Sequence, residues 1–188
     1  MERLFIGVPV PDSYHAKVEN LAATLGARLR SKVRWIRPGN AHITLKFLGH
    51  VDDALFSDLK TALGTISFSS FYMRVGGCAV VPNRKNPRTI WTGATKGARS
   101  CAGLAKRVAE AVEPLGFAQE ERPFKCHLTL GRVKQSGMDD WQERLDEVND
   151  IWPGFKVDHF TLWQSELTQD GPVYTILEEF PLSEEDEF

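Results

Sequence analysis

The hydrophobic positions of this chain switch repeatedly between a period of two and a period near 3.6, and the switches mark its elements. Residues 3–9 (RLFIGVP) are a run of β-favouring side chains ended by proline, which predicts a strand. Over residues 12–30, Val18, Leu21, Ala22, Leu25 and Leu29 recur at helical spacing, the stripe of a helix that lies on a core. A short strand at 33–36 (VRWI), turn punctuation at 37–40 (RPGN) and a strand at 42–48 follow. Asp52 and Asp53 stand where caps belong for a helix burying Leu55, Phe56, Leu59, Ala62 and Leu63. Strands are expected near 70–81 and 88–95, joined by PNRKNP. A helix near 99–115 would bury Leu104, Val108, Val112 and Leu115, with Gly116 at its stop and Ser100 as a possible cap. A strand at about 125–133, a helix near 139–149 and strands at about 155–165 and 172–180 complete the series.

Strands and helices mix here without the steady alternation of a doubly wound sheet. The pattern predicts an α+β fold with mostly antiparallel pairing. No linker or low-complexity segment interrupts it, so residues 1–182 are expected to form a single domain, and 183–188 an acidic tail that frays in solvent. The longest early apolar run, Leu4 to Val10, is too short for a membrane span and lacks the marks of a secretory signal. The expectation is a cytoplasmic protein without a membrane partner.

Three cysteines, Cys78, Cys101 and Cys126, form no C-x-x-C pair, which argues against a disulfide framework or a zinc knuckle; they read as small buried hydrophobes. The formal net charge of −2 conceals an asymmetry, because six acids and no Lys or Arg lie in the last eleven residues. The body before residue 178 therefore carries 23 basic against 19 acidic side chains, a balance that permits a polyanionic ligand.

Two strands carry the candidate chemistry. The chain writes His-x-Thr-Leu twice, as HITLKFLG from His42 and HLTLGRV from His127. Strand side chains alternate between faces, so His42, Thr44 and Lys46 are expected on one side, opposite Ile43, Leu45 and Phe47. By the same count His127, Thr129 and Gly131 lie opposite Cys126, Leu128 and Leu130. One such strand is ordinary, since a buried histidine is normally hydrogen-bonded. Two copies suggest two related lobes facing one another across a cleft with two imidazoles and two hydroxyls. Imidazole titrates near neutral pH, so one ring can accept a proton while the other donates one. That set suits in-line substitution at phosphorus. Lys46 would add positive charge for the phosphoryl oxygens, and Gly131 would leave room for the ligand.

These motifs resemble the two signatures of the 2H phosphoesterases, and among them the RNA 2′,3′-cyclic phosphodiesterases, also called 2′-5′ RNA ligases. RLFIGVPVP, VRWIRPGNAHITLKFLG, TIWTG and RPFKCHLTLGRV fall in the order of that family, so the resemblance spans the chain short of its tail. It implies a bilobal fold, two mostly antiparallel sheets related by a pseudo-twofold axis around a central cleft, with helices outside. It implies hydrolysis of RNA 2′,3′-cyclic phosphate ends, or of small cyclic nucleotides, to 2′-phosphomonoesters without metal or cofactor, reversible as 2′-5′ ligation. His42 would then be the proton donor to the departing 3′ oxygen and His127 the proton acceptor from water, with Thr44 and Thr129 on phosphate oxygens. Arg132 matches the arginine that often follows the second motif, although its parity opposes that of His127; it reaches the cleft only where the strand bulges or ends. Cys126 stands where the family often has proline. The lobes complete the site within one chain, so a monomer is expected.

Other chemistries find no support. The only Asp-Gly, at Asp170-Gly171, lacks the K-x-D-G context of an adenylating lysine, and no phosphate-binding G-x-x-x-x-G-K-[ST] exists. His15, His50 and His159 make no metal-binding pattern, and His15 reads as a surface residue. Cys126 and His127 are adjacent on a strand and face opposite ways, unsuited to a nucleophile–base pair. The remaining alternative is a non-catalytic RNA- or nucleotide-binding module of the same fold, with Arg84, Lys85, Arg88, Arg122 and Lys125 as candidate contacts. Trp35, Trp91 and Trp163 read as core.

Overall fold

The strand β1 (Glu2–Pro9) is buried continuously from Leu4 to Val8, because Leu4, Ile6 and Val8 join the core while Phe5 packs against the rings of Trp163 and Tyr174 and Gly7 lies close to Trp163. A computed structural model describes residues 1–184 and arranges them in two antiparallel sheets. The first has the order β3-β1-β8-β9, from β3 (His42–Val51), β8 (His159–Thr168) and β9 (Gly171–Pro181). The second has the order β2-β6-β5-β4-β7, from β2 (Lys32–Trp35), β4 (Phe71–Pro82), β5 (Pro87–Lys96), β6 (His127–Gln135) and β7 (Phe155–Val157). Each sheet holds one His-x-Thr-Leu strand, and both of these strands line one cleft.

The helices cross between the lobes and lock them together. α1 (Asp12–Gly26) leaves β1 yet packs on the second sheet: Tyr14 donates its hydroxyl to Pro153 O at 2.7 Å and accepts the Val75 amide of β4 at 3.4 Å. Its ring stands edge-on to Trp152 and Phe155. α3 (Ala98–Val112) leaves β5 yet packs on β3 and on α2 (Phe56–Gly64) of the first lobe. Leu59, Leu63, Leu104, Val108 and Ile43 are buried, as helical and strand periodicity require.

Several boundaries differ from the periodicity. α1 stops at Gly26, and the chain turns so that Asp139 can accept the amides of Arg30 and Ser31. The expected helix at 139–149 is only α4 (Trp141–Asp146), capped by the Asp140 carboxylate on Glu143 N. The run at 155–165 divides at Asp158, so that β7 pairs with β4 and β8 with β1, one in each sheet. Gly97, with φ +79°, holds the cap of α3 instead of Ser100; a Cβ there would collide with the Tyr72 carbonyl. At the far end Ser183 bridges to Ser69, and Glu184 pairs with Lys156 at 2.8 Å; the rest of the expected acidic tail lies outside the described residues.

Candidate active site

His42 opens β3 and His127 opens β6, and the two rings are held in the same way. Each Nδ1 meets the carbonyl two residues earlier, Asn40 O at 2.8 Å and Lys125 O at 2.7 Å. A carbonyl only accepts, so Nδ1 carries the hydrogen in both rings and Nε2 holds a lone pair. His42 Nε2 accepts the hydroxyl of Thr44 at 3.0 Å. His127 Nε2 has no protein partner among the described residues. His42, Thr44, His127 and Thr129 all line one cavity of about 280 Å³ between the lobes.

Aromatic rings floor this cavity. Phe5 lies 4.7 Å from the His42 ring, Tyr174 meets it edge-on at 5.3 Å, and Trp163 stacks on Phe5 at 5.3 Å. Trp163 is buried beneath Phe5 and Trp91 rests 4.2 Å from the His127 ring, neither of them lining the cavity, whereas Trp35, expected in the core, does line it. Such surroundings disfavour charge. Burial pushes the His42 pKa down to about 4, against the help of the Asn40 carbonyl, with the charges of His127 and His15 adding to the fall. Burial also holds His127 below the usual histidine range, opposed by the Lys125 carbonyl and reinforced by Arg132. His15, expected at the surface, is half-buried with its Nδ1 shielded and unpartnered among the described residues.

Two β-bulges re-aim the side chains beyond the threonines. The β1–β3 ladder pairs Gly7 with Thr44 and Ile6 with Lys46, so Leu45 is supernumerary. The β5–β6 ladder pairs Trp91 with Thr129 and Ile90 with Gly131, so Leu130 is supernumerary. Each extra residue lies three after its histidine and reverses the alternation.

Lys46 is consequently not a cleft residue. It is 4% exposed, and its ammonium donates to Ala118 O at 2.7 Å, with Glu120 at 3.8 Å. Phe47 takes the cleft side that simple alternation gives to Lys46 and is 58% exposed. Gly131 makes no room for ligand either: a Cβ there would meet Val33 Cγ1 at 2.7 Å and Trp35 Cε3 at 3.0 Å, on the packed face. Arg132, whose parity looked wrong, is turned into the cleft. The signal for this lies in the spacing: Phe47 and Arg132 stand five residues after their respective histidines.

Sequence reasoning passed over Phe5, Arg3, Arg34, Arg37 and Tyr174, which also line the cavity, with Asp170 as its one acidic residue among those described. Arg84, Lys85, Arg88, Arg122 and Lys125 are exposed and lie outside it. Cys126 is half-buried and, like Cys78 and Cys101, unpaired. No helix among the described residues is long and apolar enough to cross a membrane.

Comparison with known proteins gives one answer at three levels. The sequence model of the family described as LigT like Phosphoesterase matches residues 8–91 and 94–174. The RNA 2′,3′-cyclic phosphodiesterase of Archaeoglobus fulgidus is 34% identical over 178 residues, 95% of this chain and 99% of its own. That of Aquifex aeolicus is 31% identical over 184 residues, covering 96% and 97%. Among solved structures, the Thermus thermophilus protein TT0787 superposes with a TM-score of 0.79 at 30% identity, over 97% of this chain and 99% of that one. The structure of E. coli LigT complexed with 3′-AMP has the same fold, with a TM-score of 0.78 at 23% identity, over 96% and 98% of the two chains.

Proposed function

The chain belongs to the LigT like phosphoesterase family, and from that footing we propose that it hydrolyses the 2′,3′-cyclic phosphate end of RNA to a 2′-phosphomonoester by acid–base catalysis between His42 and His127. The observation that carries this reading is the shared tautomer: both rings spend Nδ1–H on the backbone and present Nε2 to one cavity.

The difference between the rings supports a division of labour. The free Nε2 of His127 is open to a water molecule and accepts its proton as the oxygen attacks phosphorus. The Nε2 of His42 is held by Thr44 and, once protonated, donates to the 3′ oxygen as the P–O3′ bond breaks. Before substrate enters, burial keeps both rings neutral at pH 7. The negative charge of the entering phosphodiester restores the proton that His42 then delivers, because an anion nearby favours the charged imidazole. The hydroxyls of Thr44 and Thr129 and the guanidinium of Arg132 hold the non-bridging oxygens, which carry the charge that grows in the transition state. With a 5′-hydroxyl in place of water, the same steps (His127 taking the hydroxyl proton, His42 protonating the departing 3′ oxygen) join two RNA ends through a 2′-5′ bond. The groups invoked all come from one chain, so the account needs no second subunit.

Replacing either histidine by alanine tests the roles. Each proton transfer is worth ~10²–10⁴-fold, so His42→Ala and His127→Ala should each lose at least that much in kcat while keeping the wild-type thermal transition within a few degrees. A variant that keeps near-normal turnover would remove its histidine from the mechanism. Undiminished nucleotide binding with no turnover in the unmodified protein would favour a binding module.

A further inference from the structure

Four arginines line the cleft and, among the described residues, none has an acidic partner. The arginine ion pairs among those residues are the ones made by Arg28 and Arg144. Arg3, Arg34, Arg37 and Arg132 have no described carboxylate within 4.0 Å. The most telling pair is Arg34 with Arg132. They are direct cross-strand partners on β2 and β6, and both line the cavity. Cross-strand neighbours stand roughly 5 Å apart at Cβ, and like charges placed opposite one another destabilise a sheet. A sheet that keeps two guanidiniums side by side without an acid leaves a place for an anion from outside.

A third guanidinium approaches from the facing lobe. Arg3 is carried by β1 next to Phe5, and its charge acts on the Tyr174 hydroxyl together with those of Arg132 and Arg34, against the burial that raises the tyrosine's pKa. The three positive groups thus converge on the same part of the cleft. The β-bulge at Leu130 places Arg132 two partner-strand steps beyond Thr129, opposite Thr89 instead of Trp91. That is roughly 7 Å along the strand, a distance the long Arg132 side chain spans back to the reacting phosphate on the threonines, while Arg34 and Arg3 are left for a second phosphate beyond it. Phe47, exposed in the same cavity and paired with Phe5 between the Thr44 and Arg3 positions of the first sheet, offers a face on which a base can stack.

We propose that Arg34 and Arg3 form a second phosphate subsite, which holds the phosphodiester on the 5′ side of the terminal nucleotide and makes the enzyme select strands over cyclic mononucleotides. This rests on the proposed activity and adds the substrate's minimum length: two nucleotides, one reacting phosphate and one positioning phosphate.

The test uses three substrates: adenosine 2′,3′-cyclic phosphate, the dinucleotide ApA with the same cyclic end, and that dinucleotide with its internal linkage replaced by an uncharged methylphosphonate. A charged hydrogen bond to the second phosphate is worth ~10-fold or more in affinity, so the dinucleotide should have a KM lower than the mononucleotide's by at least that factor. The methylphosphonate should lose most of that advantage, and Arg34→Gln should bring the dinucleotide-to-mononucleotide ratio close to one. Equal KM values in the wild type would overturn the proposal. So would an Arg34→Gln enzyme that keeps the wild-type ratio, since Arg34 would then act on the reacting phosphate or on nothing. Calorimetric binding of the 2′-phosphorylated products, adenosine and ApA, separates this from the activity itself. If no substrate is hydrolysed the proposed reaction fails, while a ~10-fold preference for the dinucleotide, lost in Arg34→Gln, still upholds the subsite and equal binding rejects it.

Discussion

Gly131→Ala puts the β-bulge at Leu130 to a direct test, because two readings of one residue give opposite results. Plain alternation from His127 places Gly131 in the cleft, where an added methyl would meet substrate. The ladder places it under β2, where that methyl would approach Val33 Cγ1 at 2.7 Å, Trp35 Cε3 at 3.0 Å and Arg34 O at 3.4 Å. The first contact is shorter than carbon atoms allow and the second is tight, and Trp35 is itself close to α1, 3.1 Å from where a Cβ on Gly26 would stand. Overpacking of this kind costs about 1–3 kcal/mol. Loss of glycine's freedom in the unfolded chain offsets roughly 0.4–1 kcal/mol of it. The net expectation is a destabilisation of about 1–2 kcal/mol, read as a urea midpoint shift at constant slope or a Tm lower by roughly 2–8 °C for a chain of this size. KM and kcat on a cyclic phosphate should move by less than about threefold. A variant as stable as the wild type but with KM raised tenfold would refute the ladder and restore Gly131 to the cleft.

Two further outcomes follow. Lys46→Met removes an ammonium that the structure ties to Ala118 O, so urea unfolding should show a loss of about 1–3 kcal/mol with KM unchanged; a tenfold rise in KM at unchanged stability would return Lys46 to the phosphate. His42 also links stability to pH. Its folded pKa of about 4 lies below the unfolded value of 6.5, so the unfolded chain takes up the proton first. The stability from keeping the ring neutral is whole above pH 6.5 and is lost as pH falls towards 4, about 3 kcal/mol in all. Urea midpoints at pH 7 and 4.5 should diverge less in His42→Gln than in the wild type, and equal divergence would contradict the assignment.

Most elements and both His-x-Thr-Leu strands were legible because the chain obeys its local rules: β-formers ended by Pro9 and Pro82, a cap at Asp52, a stop at Gly116 with φ +95°. The bulges were not, because Leu45 and Leu130 are buried like the leucines of any amphipathic strand, and counting by twos runs through them unchanged. The miscount inverted Lys46 with Phe47 and Gly131 with Arg132. The division at Asp158 was hidden for a similar reason, as no glycine or proline marks where the chain passes from one sheet to the other. The arginines of the cleft were unreadable singly, since Arg3 and Arg34 acquire meaning only when β1 and β2 bring them to the same cavity as Arg132.

The most direct test of the central claim is phosphorus NMR of chelator-treated enzyme incubated with a short RNA ending in a 2′,3′-cyclic phosphate. The account predicts conversion to a 2′-phosphomonoester, with His42 beneath the departing 3′ oxygen. A 3′-phosphomonoester would reverse which oxygen leaves and with it the roles of the two histidines, and a cyclic phosphate left intact until zinc is added would contradict catalysis by the histidines alone.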